Sequence, residues 1–340
     1  MSRSNISPRV IKRALLMGAF STVGDVEVLH EVERRLSDLG VPFDVSPLSE
    51  KRTSMFEHWV HASRVDPQDY SHVFFVCGPL TRKIMEKRWH YLKRFQHCVF
   101  VGVNLTMVAD TTDFNPFEVL IERDSDRSVR PDMSFAQSEP RVPVVGICLA
   151  PTQKEYGDRQ RHTEAKAHNE RLAQRSGVAA ILVDTHLAAE RDQAVGNGFF
   201  NPSQFESAIS RFDALLTTRL HGLVLALKNS VPVVAIDAIK GGDKVSRQAA
   251  VIGWPEVFDV SEVTEEDLDR ALERCLKQEA RERAAACANR ARQFWEGFEG
   301  DFERALEAVS DPALRADLKP RQGMRDRIRY LGIRGDGKSD

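Results

Sequence analysis

The chain of 340 residues lacks most of the features that would send it to a membrane, a nucleic acid or an oxidising compartment. No run approaches the roughly 20 apolar residues that cross a bilayer. Neither sign of charge dominates: 48 Lys and Arg stand against 50 Asp and Glu, a formal net charge of −2, so no global electrostatic case for nucleic acid arises. The five cysteines, Cys77, Cys98, Cys148, Cys275 and Cys287, form no Cys-x-x-Cys pair. Three lie in or beside apolar strand-like runs, which reads as buried free thiols of a reducing, cytoplasmic setting, with neither disulfides nor a zinc site. The turn at Gly24-Asp25 carries neither the Gly-x-Gly-x-x-Gly nor the Gly-x4-Gly-Lys-Ser/Thr pattern, so a nucleotide-phosphate cradle finds little support there. Internal repeats and long low-complexity segments are also absent.

What is present is ordinary globular composition, 42% hydrophobic and 29% charged, with enough length for two domains. Arg9, Lys12 and Arg13 precede the apolar run Ala14 to Phe20 and mimic a short export signal. Asp25 and Glu27 follow soon after in an amphipathic helical pattern, and a first core strand is the better reading. Strand-like and helical runs then alternate, the signature of a parallel sheet covered on both faces. Ala14 to Met17, Val73 to Cys77 and Cys98 to Val103 read as strands, with helices over Glu27 to Leu39 and Ile84 to Phe95. Residues Thr111 to Arg141 lose this regularity and contain Pro116, Pro131 and Pro140, which places a domain boundary near Pro140. The pattern restarts with Val144 to Cys148, a helix from His162 to Ser176, a strand over Ala179 to Val183 and a helix over Ser203 to Phe212. From Glu265 to about Ser310 the sequence is helical and densely charged, with Leu268, Ala271, Leu272 and Cys275 on one face.

The expected fold class is therefore α/β, with a domain over residues 1–140, a second over 141–262, packing helices over 263–318 and a basic tail over 319–340. That tail holds Arg321, Arg325, Arg327, Arg329 and Arg334 among Tyr330, Leu331 and Ile333. Such a composition suits peripheral contact with anionic lipid at the inner face of the membrane, although Asp326 and Asp336 dilute the charge and a solvated tail is the plainer reading.

The most informative stretch runs from Asp213 to Val245. Ala214 to Leu216 read as a buried strand, and Leu220, Leu223, Val224 and Leu227 recur at the spacing of a helix with one buried face. Asn229 and Pro232 end that helix, and Val233 to Ile236 form the next strand. The polar residues opening such a helix lie at the carboxyl edge of the sheet, where the helix dipole and unpaired N–H groups favour an anion. Arg219 and His221 occupy that turn. At roughly 100° per residue they would diverge on a regular helix, so both face one pocket only if Arg219 belongs to the turn, Thr217 or Thr218 caps, and His221 starts the helix. Arg offers a planar fork suited to phosphate or carboxylate, and His moves a proton near neutral pH. An isolated Arg-x-His is more often a surface ion pair beside a packed histidine.

The context changes that reading. Arg219-Leu220-His221, then Ser230-Val231-Pro232-Val233-Val234, then Asp243-Lys244-Val245 resembles the C-terminal block of the polysaccharide pyruvyl transferase family. Weaker echoes are Gly18 to Asp25, a glycine-bearing turn ending in Gly24-Asp25; Val73 to Leu80, where only Gly78 remains of several glycines; and Arg123-Asp124-Ser125 with Pro131-Asp132-Met133-Ser134-Phe135. The resemblance implies two Rossmann-like doubly wound domains facing across a cleft in the GT-B manner. It also implies transfer of a pyruvyl group from phosphoenolpyruvate to saccharide hydroxyls, with no metal or cofactor required and with a saccharide or lipid-linked saccharide as acceptor. His221 is then the proton-transferring group. Arg219 and Lys244 hold the donor's negative groups, with Thr218 and His186 beside them, and Gly24, Asp25 and Gly78 belong to the acceptor side.

Three points qualify this expectation. Lys240 rivals Lys244 because of the inserted Gly241-Gly242. Ala150-Pro151-Thr152 follows the strand Val144 to Leu149 where many relatives carry a basic residue. His186, at the end of the strand over Ala179 to Val183, serves equally well as a loop residue. The pairs His58/His61 and His162/His168 lack acidic or cysteine partners and read as structural or solvated. A nucleotide-sugar glycosyltransferase on the same architecture, or a non-catalytic protein binding an anionic saccharide or sugar phosphate, is the alternative.

Overall fold

The computed structural model describes residues 13–175, 177–187 and 198–307. The basic tail lies outside the described residues. The chain divides into two compact units between Pro140 and Arg141. Among the described residues, no helix is long and apolar enough to cross a membrane.

The first unit is built on a five-stranded sheet: β1 (Ala14–Gly18), β2 (Phe43–Pro47), β3 (His72–Leu80), β4 (Val99–Met107) and β5 (Val119–Ile121), in the order β2-β1-β3-β4-β5. All pairs are parallel. A parallel sheet covered on both faces needs continuous apolar strands, and every residue of β1 is buried. Helix α1 (Val23–Asp38) opens with a capping box between Thr22 and Asp25, and α2 (Arg82–Leu92) with Thr81 as its cap. One apolar cluster joins Leu16, Val28, Val32, Val101 and Val103, and a second joins Leu15, Met17, Leu92, Phe95 and Leu105. Strand β2 was not expected from the sequence. Its Asp44 and Ser46 break the apolar run, and each has a long-range partner: Asp44 accepts from Arg13 and Tyr70, while the Ser46 hydroxyl accepts from the Ala62 N–H.

The second unit repeats the plan with β6 (Val144–Cys148), α3 (His162–Arg175), β7 (Ala179–Leu182), α4 (Pro202–Ile209), β8 (Ala214–Thr217), α5 (Leu220–Lys228), β9 (Val233–Asp237), α6 (Lys244–Ile252) and β10 (Val257–Asp259). Its order is β10-β9-β8-β6-β7, again wholly parallel. Each unit is thus a doubly wound α/β fold. The charged C-terminal run forms helices as expected, three among the described residues: α7 (Glu265–Cys275), α8 (Gln278–Glu296) and α9 (Glu299–Glu307). The expected stripe of α7, Leu268, Ala271, Leu272 and Cys275, is buried against the core of the unit.

The strand orders fix where a ligand fits. In each sheet two neighbouring strands send their connections in opposite directions, β1 and β3 in the first and β6 and β8 in the second. A crevice opens outside the carboxyl ends at such a point.

Candidate active site

At the β6/β8 switch point the second unit holds a cavity of about 230 Å³ lined by Ala150, Pro151, Gln153, Thr185, His186, Thr218, Arg219, Leu220, His221 and Lys244. Five residues singled out from the sequence, Thr218, Arg219, His221, His186 and Lys244, therefore meet in one place. Gly24, Asp25 and Gly78 belong to the first unit.

The turn after β8 differs in detail from the expected one. Arg219 itself is the N-cap of α5, with extended backbone (φ −101, ψ 135) and no side-chain cap bond. Thr217 does not cap the helix: its hydroxyl donates to the Cys148 carbonyl of β6 at 2.6 Å and accepts the Arg219 N–H at 3.0 Å. The Thr218 hydroxyl accepts the Ala150 N–H at 2.7 Å, which ties the ends of β6 and β8 together. The first turn of α5 is left with N–H groups that have no capping side chain, a ready site for negative charge. Gly222 lets the helix sit this close, since a Cβ there would lie 2.3 Å from Thr217 Oγ1.

The Arg219 guanidinium is not the free fork expected from the sequence. Its Nε donates to the Leu149 carbonyl at 2.8 Å and Nη1 to Thr185 Oγ1 at 3.2 Å, while Nη2 lies 3.1 Å from His186 Nδ1 and 3.2 Å from Asp184 Oδ1. The side chain is only 13% exposed. Its positive charge is therefore fixed at the wall of the cavity. His221 is exposed and makes no side-chain hydrogen bond among the described residues, so its ring is available to a substrate.

Lys244 lines the cavity and Lys240 does not. The reason lies in Asp237 at the end of β9, 1% exposed, whose carboxylate accepts the N–H groups of Ile239, Asp243 and Ser246 at 3.2, 2.7 and 2.9 Å. It caps α6 from outside the helix and so places Lys244 at the first helical position. Gly241 and Gly242, at φ +83 and +71, make the preceding turn that an L side chain would strain. Lys244 Nζ lies 5.6 Å from the centre of the Tyr156 ring and has no carboxylate partner among the described residues. His162 is buried, and burial followed by the charge of Lys244 holds its pKa below the ordinary value. Beneath the cavity, burial pushes the Cys148 thiol up to about 11 in spite of the nearby Arg219, which makes it an inert core thiol.

In the first unit, Asp25 closes the capping box, accepting the Ser21 and Thr22 N–H groups at 3.0 and 3.2 Å. Gly24 has no backbone need to be glycine, as a Cβ there would meet nothing within 4 Å. Gly78 does, at φ +91, beside Cys77 at φ +62 in β3 and Asn104 at φ +53 in β4. Burial pushes the Cys77 thiol up to about 11. The Arg123 element is also built in: Arg123 pairs with Asp124 and Asp132 at 2.8 and 2.9 Å and bonds the Thr106 hydroxyl.

Sequence reasoning missed Asp184, Thr185, Gln153 and Tyr156. Asp184 and Thr185 had a signal, since they directly precede His186 at the end of β7. Tyr156 had none, because it reaches Lys244 only through the fold.

No curated protein matches the chain. Among solved structures it is similar to a spinosyn rhamnosyltransferase complexed with spinosyn aglycone, at 9% identity and TM-score 0.30, covering 81% of this chain and 95% of that one. An E. coli heptosyltransferase with ADP is similar at 13% identity and TM-score 0.26, covering 80% and 99%. So is a UDP-GlcNAc 2-epimerase from Methanocaldococcus jannaschii, at 9% identity and TM-score 0.30, covering 84% and 100%. Residues 102–238, which hold the Arg123 and Asp132 elements, the Arg219-Leu220-His221 turn and β9, match the family model of polysaccharide pyruvyl transferase.

Proposed function

We propose that the chain transfers a pyruvyl group from phosphoenolpyruvate to two hydroxyls of a saccharide, forming a ketal and releasing inorganic phosphate. The observation that carries this reading is the convergence of Arg219, Lys244, His221 and the uncapped start of α5 on one cavity at the switch point. A donor with both a phosphate and a carboxylate needs several positive groups and one proton donor, and these residues supply both.

In this scheme the first acceptor hydroxyl adds to C2 of the donor while His221 delivers a proton to the methylene carbon C3, which becomes the methyl group. The second hydroxyl then displaces phosphate from C2. Of the two hydroxyl protons, one ends on the methyl group by way of His221 and the other leaves with phosphate. Lys244 is the mobile cation for the departing phosphate. Arg219 contributes fixed charge, and the α5 N–H groups the remaining donors. With proton, charge and hydroxyls all supplied by side chains and substrates, the scheme calls for no metal or cofactor. His186 and Thr218 border the same space and orient the donor.

A melting experiment with added phosphoenolpyruvate, inorganic phosphate and nucleotide sugars tests the assignment, because a ligand of the native state raises Tm. Phosphoenolpyruvate should stabilise the wild type and not Lys244→Ala. Stabilisation by a nucleotide sugar, with none by phosphoenolpyruvate, would favour glycosyl transfer instead.

A further inference from the structure

Helix α2 and the short 3-10 turn after it, Lys93–Phe95, carry a charge at odds with the near balance of the whole chain. Residues 82–97 hold Arg82, Lys83, Lys87, Arg88, Lys93 and Arg94 against a single acid, Glu86. Among the described residues none of the six cations pairs with a carboxylate. The three arginines donate to backbone carbonyls instead: Arg82 to Asp113 at 2.9 Å, Arg88 to Ile84 at 3.2 Å, and Arg94 to Ala62, Ser63 and Val65 at 3.3, 3.0 and 2.9 Å. A carbonyl is neutral, so these bonds orient the guanidinium groups without cancelling their charge. Lys83, Lys87 and Lys93 are exposed and have no hydrogen-bond partner among the described residues.

Helix stability does not account for this arrangement. The first turn of a helix favours acidic residues, and α2 has none there, with Arg82 and Lys83 in their place. Lys83 and Lys87 stand one turn apart, a like-charge pair that weakens a helix. A surface that breaks two local rules with no internal compensation is expected where the chain meets something else.

Two apolar groups accompany the cations. Trp89, 48% exposed, lies on the same helix, and Val108, 61% exposed, is fixed beside the helix start by its N–H, which donates to the Leu80 carbonyl at 3.3 Å. A partner for this face must be anionic over the roughly 15 Å from Lys83 to Lys93, at 1.5 Å of rise per residue. It must also take up an exposed indole. A small anion covers one cation only. A nucleic acid backbone meets the cations but gives Val108 no apolar surroundings. A bilayer rich in anionic lipid supplies both, headgroup phosphates for the cations and an interfacial layer that suits tryptophan.

We propose that the outer face of α2 docks the protein on a bilayer rich in anionic lipid, with Lys83, Lys87 and Lys93 over the headgroup phosphates and Trp89 at the headgroup level. Sedimentation of the full chain with vesicles of phosphatidylcholine, alone or mixed with phosphatidylglycerol, tests it. The mixed vesicles should bind the protein at low salt and release it as salt is added, and pure phosphatidylcholine should not bind it. Lys83→Gln, Lys87→Gln and Lys93→Gln together should weaken binding ~tenfold or more, since each lysine near an anionic surface contributes. The same three positions changed to Arg should keep it. The Gln variant loses a like-charge pair, so its Tm without vesicles should not fall. Trp89→Ala, a change at an exposed ring, should weaken the same binding and gives a readout independent of the lysines. Absence of binding to the mixed vesicles overturns the proposal, and binding of a single-stranded oligonucleotide in their place would make the partner a nucleic acid. Vesicle binding that the Gln variant and Trp89→Ala both leave unchanged also overturns it and moves the contact elsewhere in the chain. Because no phosphoenolpyruvate is present, failure here and failure of the donor site are separate results.

Discussion

Arg219 and His186 are interlocked: Nη2 of the arginine lies 3.1 Å from Nδ1 of the histidine, from a turn 33 residues away in sequence. With Arg219 donating, Nδ1 of the ring is the acceptor of the pair. The contact also joins the ends of β7 and β8 across the end of β6, so the arginine organises the cavity as well as charging it.

That dual role predicts a double loss for Arg219→Ala. Removing it leaves the Leu149 carbonyl, Thr185 and Asp184 without their partner, a destabilisation of about 1–3 kcal/mol. Thermal denaturation without ligand should show it, and stabilisation by phosphoenolpyruvate should vanish. Arg219→Lys should restore neither, since one ammonium cannot replace three separately directed nitrogens. Unchanged donor binding in Arg219→Ala would remove the arginine from the anion site.

His221 stands apart from this network. His221→Gln should keep the fold and most of the donor affinity while lowering turnover by ~10²-fold or more, the usual effect of losing a general acid or base. Steady-state kinetics separate the cases: weaker binding with turnover intact would make His221 a ligand.

Asp237 acts on Lys244 at a distance. Asp237→Asn weakens the cap of α6, a loss of about 0.5–2 kcal/mol, and lets Lys244 drift from the cavity. The expected signature is a higher KM for the donor with a much smaller change in kcat. Equal falls in both would mean that the cap does not govern the lysine.

Gly222→Ala places a methyl group 2.3 Å from Thr217 Oγ1. Helix α5 must then retreat from the sheet at a penalty of about 1–3 kcal/mol, and His221 moves with it. Both Tm and turnover should drop; a variant with wild-type values would show that the close approach is not needed.

Asp132 gives the acid limb a testable sign. Burial raises its pKa, but hydrogen bonds from the Ser134 N–H, Arg123 and Asn104 outweigh that and lower it from 3.8 to about 2. A carboxyl depressed in the folded state contributes stability that is complete above 3.8 and lost as pH falls toward 2. Asp132→Asn should therefore flatten the pH dependence of Tm in that window and leave it unaltered near neutrality.

Much of this architecture was legible in sequence, for identifiable reasons. The strands β1, β4, β6, β8 and β9 are covered on both faces, so they stand out as apolar runs. The edge strands β2, β5 and β10 are short or polar at alternate positions and leave no such trace. The Arg219-Leu220-His221 turn could be placed at a strand end, but its cap could not, because the Thr217 hydroxyl goes to Cys148 in a strand 69 residues earlier. The same limit hid the engagement of Arg219 by the Leu149 carbonyl, Thr185 and Asp184, while the choice of Lys244 over Lys240 turns on the local turn that Asp237 closes through the Asp243 and Ser246 N–H groups. The proton-moving role proposed for His221 and the acceptor-side roles expected of Gly24, Asp25 and Gly78 come from family resemblance together with position.

The most direct test follows C2 of the donor. The protein is incubated with phosphoenolpyruvate labelled with carbon-13 at C2 and with saccharides bearing neighbouring free hydroxyls, and both the carbon spectrum and inorganic phosphate are measured. The account predicts a ketal carbon appearing in step with phosphate, one for one, and its loss in His221→Gln and Lys244→Ala. Unchanged phosphoenolpyruvate under conditions where a nucleotide sugar is consumed, and its sugar transferred, would contradict it.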